Sequence, residues 1–260
     1  MLQEERFKGL QWVQRLVSSE PRWTVEPDLE SIKRTIEEAR PSQEVSVSFL
    51  AQGAFNKIYD IQAGNQDLVM RVSLPVDPQY KTLSEVATMD WMRHHTSLPV
   101  PEIIAHQASQ ENAIGFEWIL MKKIPGNPLA DAWKSIEYPA KEQLVQQLAT
   151  YFSSLFKNQL RGIGNIYPDS SALSCDGYPS EVKRIVSMQF FWGDHILQDV
   201  PRGPFTRART GSLPVCHLVN MTATPLWPNM KIETTLAAMT RMRLKMQKGH
   251  WESSKDSRLK

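Results

Sequence analysis

Cysteine is nearly missing from this chain. Cys175 and Cys216 are the only two in 260 residues, with no C-x-x-C pair, so neither a disulfide framework nor a cysteine-based zinc site is expected, and a reducing compartment is the default. Long apolar runs are missing too: no stretch approaches the roughly 18 to 20 apolar residues that a membrane-crossing helix needs, which predicts a soluble chain. Charge of one sign is not in excess. Thirty Lys and Arg stand against 28 Asp and Glu, a formal net charge of +2, and bulk charge gives no indication of nucleic-acid binding. What remains is ordinary globular composition, 41% hydrophobic and 22% charged, in a length that permits one large domain or two lobes.

The chain is organised around the stretch from Val45 to Glu85. Val45, Val47 and Phe49 alternate with Ser46 and Ser48, the period of two of a half-buried strand. Gly53 sits in the turn Ala51-Gln52-Gly53-Ala54-Phe55-Asn56, where a glycine admits a backbone conformation, or a close approach to a ligand, that a side chain forbids. Ile58, Tyr59 and Ile61 resume a strand, Gly64-Asn65 turns again, and Leu68-Val69-Met70-Arg71-Val72 is an apolar run broken by one cation. A guanidinium within a buried strand is costly unless paired. Glu85 lies fourteen residues on, by subtracting 71 from 85, at the start of the helix-like SEVATMDWMRHH, and can supply the partner.

Each of these signals also has a plain reading. A hairpin glycine is usually only a turn, a strand arginine usually lies at an edge, and a helix-start glutamate usually complements the dipole. Their order is what points further. A glycine turn, a cation on the third strand and an acid on the next helix form the nucleotide-holding half of a kinase, in which amides cover phosphates, the cation contacts them and the acid positions the cation.

The segments FLAQGAFNKIY, VMRVSLPVDPQYKTLSEVATMDW, LPVPEIIAHQ, NAIGFEWILMKKIPGNPLADAW and FFWGDH…RGPF resemble the aminoglycoside-phosphotransferase-like proteins of fungi. That family has a protein-kinase-like fold, and some members are linked to mitochondria. The resemblance runs from about residue 23 to 205 and is densest between 46 and 165. It implies an α+β, bilobal protein-kinase-like fold, with an intact small β-rich lobe and an incomplete helical second lobe. The expected organisation is a helical extension over 1–40, a nucleotide-binding lobe and hinge over 41–126, a partial helical substrate lobe over 127–210 and a divergent basic tail over 211–260. The implied chemistry is ATP-dependent phosphoryl transfer to a hydroxyl of a small molecule, with ATP and Mg2+ as cofactors. The implied nucleotide contacts are Gly53, Ala54, Asn56, Arg71 and Glu85, with Met121 and Ile124 at the hinge near Lys122-Lys123-Ile124-Pro125-Gly126. Without the resemblance, that hinge reads as an edge strand ending in a Pro-Gly turn.

Such transfer needs an Asp to orient the acceptor hydroxyl, a nearby Asn and a second Asp for magnesium. Relatives supply them through H-x-D-x-x-x-x-N and a later Asp-Trp or Asp-Phe, and neither motif is found here. Beyond the hinge the histidines are His195, His217 and His250, none followed by Asp two positions on, and the sole Asp-Trp, Asp90-Trp91, lies in the early helix. No catalytic residue and no metal ligand is therefore assigned. Asp194 and Asp199 precede the missing loop in family context, and adjacent Cys216 and His217 lack productive nucleophile and base geometry. Only 55 residues follow Phe205, by subtracting 205 from 260, where family members carry roughly a hundred or more. Two functions follow: a small-molecule phosphotransferase, or a truncated pseudoenzyme that binds nucleotide or a partner. A replaced C-terminal region, from splicing or a gene-boundary error, is a third account.

At the start, Leu2, Phe7, Leu10, Val13 and Leu16 recur at near-helical intervals and predict an amphipathic helix over 1–18. Glu4 and Glu5 do not suit a mitochondrial presequence, so cytoplasmic and mitochondrial locations both stay open. Asp28 is placed to cap a helix that carries Leu29, Ile32 and Ile36 on one face. His94 and His95 at a helix end read as complements to the dipole rather than as metal ligands. Residues 141–160 carry Leu144, Leu148, Phe152, Leu155 and Phe156, the stripe of a core-facing helix. Residues 231–248 form a basic amphipathic helix that covers core, or binds calmodulin or an anionic membrane surface.

Overall fold

Period-two alternation becomes hydrogen-bonded register at the centre of the chain. The computed structural model describes residues 5–16, 19–41, 43–169 and 180–207, all within one unit, 1–215. Cys175, Cys216, His217, residues 222–227, the predicted helix at 231–248, His250 and the polar C-terminus lie outside the described residues, as does Leu2.

Where the apolar spacing of the first eighteen residues predicts a helix, residues 5–6 are helical but Leu10–Gln14 is a strand: β1 (Leu10–Gln14) pairs antiparallel with β2 (Ser19–Trp23). Tertiary packing decides the matter. Trp12 lies 5.2 Å from Trp192, centroid to centroid, and Trp23 lies 5.1 Å from Phe116, whereas Leu16, needed for the helical stripe, is almost fully exposed. Large aromatic contacts outweigh weak local propensity. Pro21 is tolerated because a two-stranded ribbon has free edges.

The next helix forms as its sequence predicts. In α1 (Leu29–Ala39) the Asp28 carboxylate accepts the Ser31 amide N–H at 2.9 Å and the Ser31 hydroxyl at 2.8 Å. That cap fixes the helix rotation so that Ile32 and Ile36 are fully buried.

Strands β3 (Val45–Gln52), β4 (Asn56–Ala63), β5 (Gln66–Ser73), β6 (Ile103–Gln107) and β7 (Glu117–Lys122) make one antiparallel sheet in the order β3-β4-β5-β7-β6. The run Leu68–Val72 is continuous because β5 is a central strand covered on both faces. Leu68, Met70 and Val72 pack with Ile32 and Ile36 of α1 and with Ile61 and Leu120. Val69 points the other way, with Ile119 and Met121, against Val86 and Met89 of α2 (Tyr80–His95).

Beyond the sheet come α3 (Leu129–Ala132), α4 (Tyr138–Lys157), the β8 (Asn165–Pro168) and β9 (Ser180–Lys183) pair, α5 (Met188–Phe191) and a 3-10 turn over Gly193–Leu197. The architecture is α+β, a β-rich lobe followed by a helical portion. The stripe on α4 does not face a core: no residue of that helix is buried, and Phe152 and Phe156 are 59% and 73% exposed. Periodicity specifies an apolar face but supplies no partner for it. Among the described residues, no helix is long and apolar enough to cross a membrane.

Candidate functional site

The β5 pleat that buries Met70 and Val72 against α1 turns Arg71 to the opposite face, toward α2. Register places Ile58 of β4 and Ile119 of β7 on either side of it. Glu85 lies on α2 above this row, and Arg71 Nη2 donates to Glu85 Oε2 at 2.5 Å. Both side chains are largely enclosed, at 20% and 33% exposure. An arginine in an apolar strand thus finds the acid fourteen residues away.

A second cation, absent from the sequence-predicted set, joins them. Lys81 stands one helical turn before Glu85 and is only 7% exposed. Its ammonium donates to Asn56 Oδ1 at 3.2 Å, to Ser73 Oγ at 3.5 Å and to Glu85 at 3.2 and 3.3 Å. Burial holds the Lys81 pKa below the ordinary lysine range, with Glu85 opposing and Arg71 reinforcing that shift. Asn56, read from sequence as a turn residue, is a hub: its Oδ1 also accepts the Ser73 hydroxyl at 2.8 Å. The only sequence signal for Lys81 is its i,i+4 spacing to Glu85, which ordinarily marks a solvated pair.

Gly53 lies in the β3–β4 turn, just before this cluster. Its N–H donates to the Asn56 carbonyl at 2.9 Å. The conformational argument for a glycine there fails, because its φ is not among the positive ones and an added Cβ would meet nothing closer than 4.0 Å. Ala54 is exposed, while Phe55 is held edge-on by Phe191 at 5.4 Å and Trp192 at 5.9 Å. Among the predicted residues, then, Asn56, Arg71 and Glu85 meet, with Gly53 and Ala54 beside them. Met121 lies one strand over, buried against Val86 and Ile119. Ile124 is apart from the cluster and 59% exposed. The hinge is tied back by Lys123, which donates to Asp60 at 2.7 Å and whose N–H bonds the Asp67 carbonyl at 3.0 Å.

Asp77, in the β5–α2 loop, forms a separate buried pair. Arg184 donates to its two oxygens at 3.0 and 2.8 Å, and the guanidinium carbon sits 4.0 Å from the Tyr80 ring centroid. Burial pushes the Asp77 carboxyl upward, opposed by the charges of Arg184, Arg202 and Arg6. Arg202, from the RGPF segment, bonds the carbonyls of Phe190, His195, Ile196 and Gln198. These contacts fasten loops. His94 and His95 meet backbone carbonyls of their own helix, at 2.7 and 2.9 Å. Among the described residues no group of three His, Cys, Asp or Glu side chains could hold a metal ion. No chemical step is routed through magnesium.

Residues 46–155 match the phosphotransferase enzyme family, as the resemblance to aminoglycoside-phosphotransferase-like proteins implies. A subtelomeric hrmA-associated cluster protein of Aspergillus fumigatus is 30% identical over 165 residues, 61% of this chain and 32% of the relative. The protein named altered inheritance of mitochondria protein 9, mitochondrial, of Saccharomyces cerevisiae is 24% identical over 150 residues, 52% of this chain and 24% of the relative. The chain thus spans about a third or less of the length of these relatives. Among solved structures, the aminoglycoside phosphotransferase APH(4)-Ia is 16% identical, with a TM-score of 0.38 over 55% of this chain and 44% of that one.

Proposed function

We propose that the lobe over 41–126 holds a nucleotide by its phosphates, and that the chain serves ATP-dependent phosphoryl transfer to a hydroxyl of a small molecule. The single observation carrying this reading is the enclosed Arg71–Glu85 ion pair at 2.5 Å, on the sheet face behind the Gly53 turn. Arg71 contacts phosphate oxygens, Glu85 fixes its direction, and the Gly53-Ala54 turn, closed by the Gly53 N–H on the Asn56 carbonyl, covers the phosphates, with Asn56 holding the turn to the strands. Met121 and Ile124 border the adenine at the hinge. Residues 127–210 supply part of the substrate side, 1–40 an extension that includes the β1–β2 hairpin, and 211–260 a basic tail. The relatives with mitochondrial names make the mitochondrion one candidate location beside the cytoplasm, decided by imaging the tagged chain.

The test is calorimetry of ATP against the whole chain, with and without magnesium, beside Arg71→Ala. Wild type binds, and the variant loses at least about tenfold in affinity, the worth of one charge-assisted contact. A folded wild type that binds no nucleotide removes the proposal. A second reading, binding without transfer, is favoured by one feature: no histidine beyond the hinge has Asp two positions later. Turnover of bound ATP to ADP would remove that second reading.

A further inference from the structure

The one Asp-Trp pair of the sequence, Asp90-Trp91, takes no part in the nucleotide reading, yet it lines a cavity. Val86, Ala87, Asp90 and Trp91 stand at i, i+1, i+4 and i+5 and so share one face of α2. With His106 of β6, Pro168 of β8 and Ser180 of β9 they enclose about 210 Å3. At about 3.6 residues per turn, that face points away from Lys81 and Glu85 on the same helix. The α2 wall is mostly apolar: Val86, Ala87 and Trp91 are buried, and His95 stacks on the Trp91 ring at 4.9 Å. Of the seven lining residues only Asp90 is charged near neutral pH, because partial burial lowers the His106 pKa, with Asp90 opposing that shift. Asp90 meets the His94 ring only through its main-chain carbonyl, at 2.7 Å, and among the described residues its carboxylate accepts no hydrogen bond and joins no ion pair. Burial pushes that carboxyl upward, opposed by the charges of His94, Arg93 and His106; Arg93 is itself exposed and also acts on Glu102. A carboxylate set in an apolar wall without a bonded partner is costly. A cation seated beside it removes that cost.

We propose that this cavity is a binding site for a small primary amine with an apolar body, separate from the nucleotide site: the ammonium donates to the Asp90 carboxylate and to the His106 ring, and the body lies against Trp91, Val86 and Ala87. Size, charge and wall chemistry each select that ligand. The volume falls below the roughly 300 Å3 at which pockets for drug-sized ligands begin, so it admits one ring on a short chain and excludes a multi-ring sugar such as an aminoglycoside. A single unpaired carboxylate matches a single ammonium. The indole and the aliphatic side chains take the apolar body, and the indole adds attraction for a cation held near it. This site does not rest on the nucleotide reading.

The experiment titrates the full chain near neutral pH with phenethylamine and with phenethyl alcohol, its uncharged counterpart, by calorimetry, using wild type, Asp90→Asn and Ser180→Phe. Wild type binds the amine at least about tenfold more tightly than the alcohol, the order of one charge-assisted hydrogen bond. Asp90→Asn keeps the shape of the wall, loses that preference and binds the two alike, while its ATP titration matches that of wild type. Its melting temperature is equal to or above that of wild type, because a carboxylate without a partner is gone. Ser180→Phe narrows the cavity from β9 and weakens both ligands; where Phe is not accommodated, the alcohol and Asp90→Asn decide. Equal affinity of wild type for amine and alcohol, an amine affinity unchanged by Asp90→Asn or by a folded Ser180→Phe, or a folded wild type that binds no amine overturns the inference. Displacement of ATP by the amine overturns it as well, since the two sites would then be one. Amine binding without ATP binding leaves it standing and removes only the nucleotide reading.

Discussion

Arg184 grips Asp77 with two hydrogen bonds at 3.0 and 2.8 Å, and the Asp77 side chain has no exposed surface. Removing one partner of such a pair leaves a buried charge uncompensated, the expensive way to break it. Arg184→Met is expected to cost about 3 kcal/mol, read as a fall in the urea midpoint at unchanged slope. Glu117 makes a pH prediction of the opposite kind. Burial raises its pKa above the ordinary 4.5, opposed by hydrogen bonds and Lys81 and reinforced by Asp77. The folded chain therefore holds this proton at pH values where the unfolded chain has lost it. Relative to Glu117→Gln, wild-type stability is highest below pH 4.5 and falls as pH rises through the raised folded value. Urea unfolding of the two proteins from pH 4 to 8 checks it, and a difference that grows with pH would show the sign to be wrong. At this scale the Arg71–Glu85 pair was legible because a cation in an apolar run demands a partner. Lys81 was not, since its burial is made by Asn56 and Ser73, 25 and 8 residues away, and a lysine at a helix start otherwise reads as solvated.

Amphipathic spacing was read as helix over both 1–18 and 141–160, and these two outcomes separate what periodicity says from what packing adds. Over β1 and β2 the apolar residues met aromatic partners in extended form, so the spacing that suggested a helix was fortuitous. Trp23 is the anchor: it packs on Phe116 at 5.1 Å and under the Lys57 ammonium at 4.9 Å, while Lys57 also pairs with Glu26. Trp23→Ala is expected to cost about 3 kcal/mol, the low end for a tryptophan truncation because the ring is only half-buried, measured by chemical denaturation. In α4 the helix itself was foreseen, and its partner was not there to be read. Phe156 is 73% exposed, so Phe156→Glu should change stability by less than about 0.5 kcal/mol. A loss above about 2 kcal/mol in the same assay would mean that the stripe is covered in solution.

Across the molecule, the β-rich lobe and the segment after α4 are joined by aromatic packing of Phe191 and Trp192 on Phe55 and Trp12 and by a few polar contacts that share elements. Asn165 Nδ2 donates to the Ser84 hydroxyl on α2 at 2.9 Å, and its Oδ1 accepts the Val186 N–H at 3.0 Å. Arg184, two residues from Val186, reaches Asp77 just before the same helix. Neither link was legible, because each joins residues about a hundred positions apart, 81 in one case and 107 in the other, through side chains with no local pattern. Both act on one strand-to-helix docking, β8 and β9 on α2, and Ser84 and Asp77 are each buried, so loss of either link loosens the geometry of the other. A double-mutant cycle of Asn165→Ala and Arg184→Met is therefore expected to give a coupling energy above about 0.5 kcal/mol, the threshold for sites that share a partner element. Strict additivity would mean that the Asn165 and Arg184 links act independently of one another.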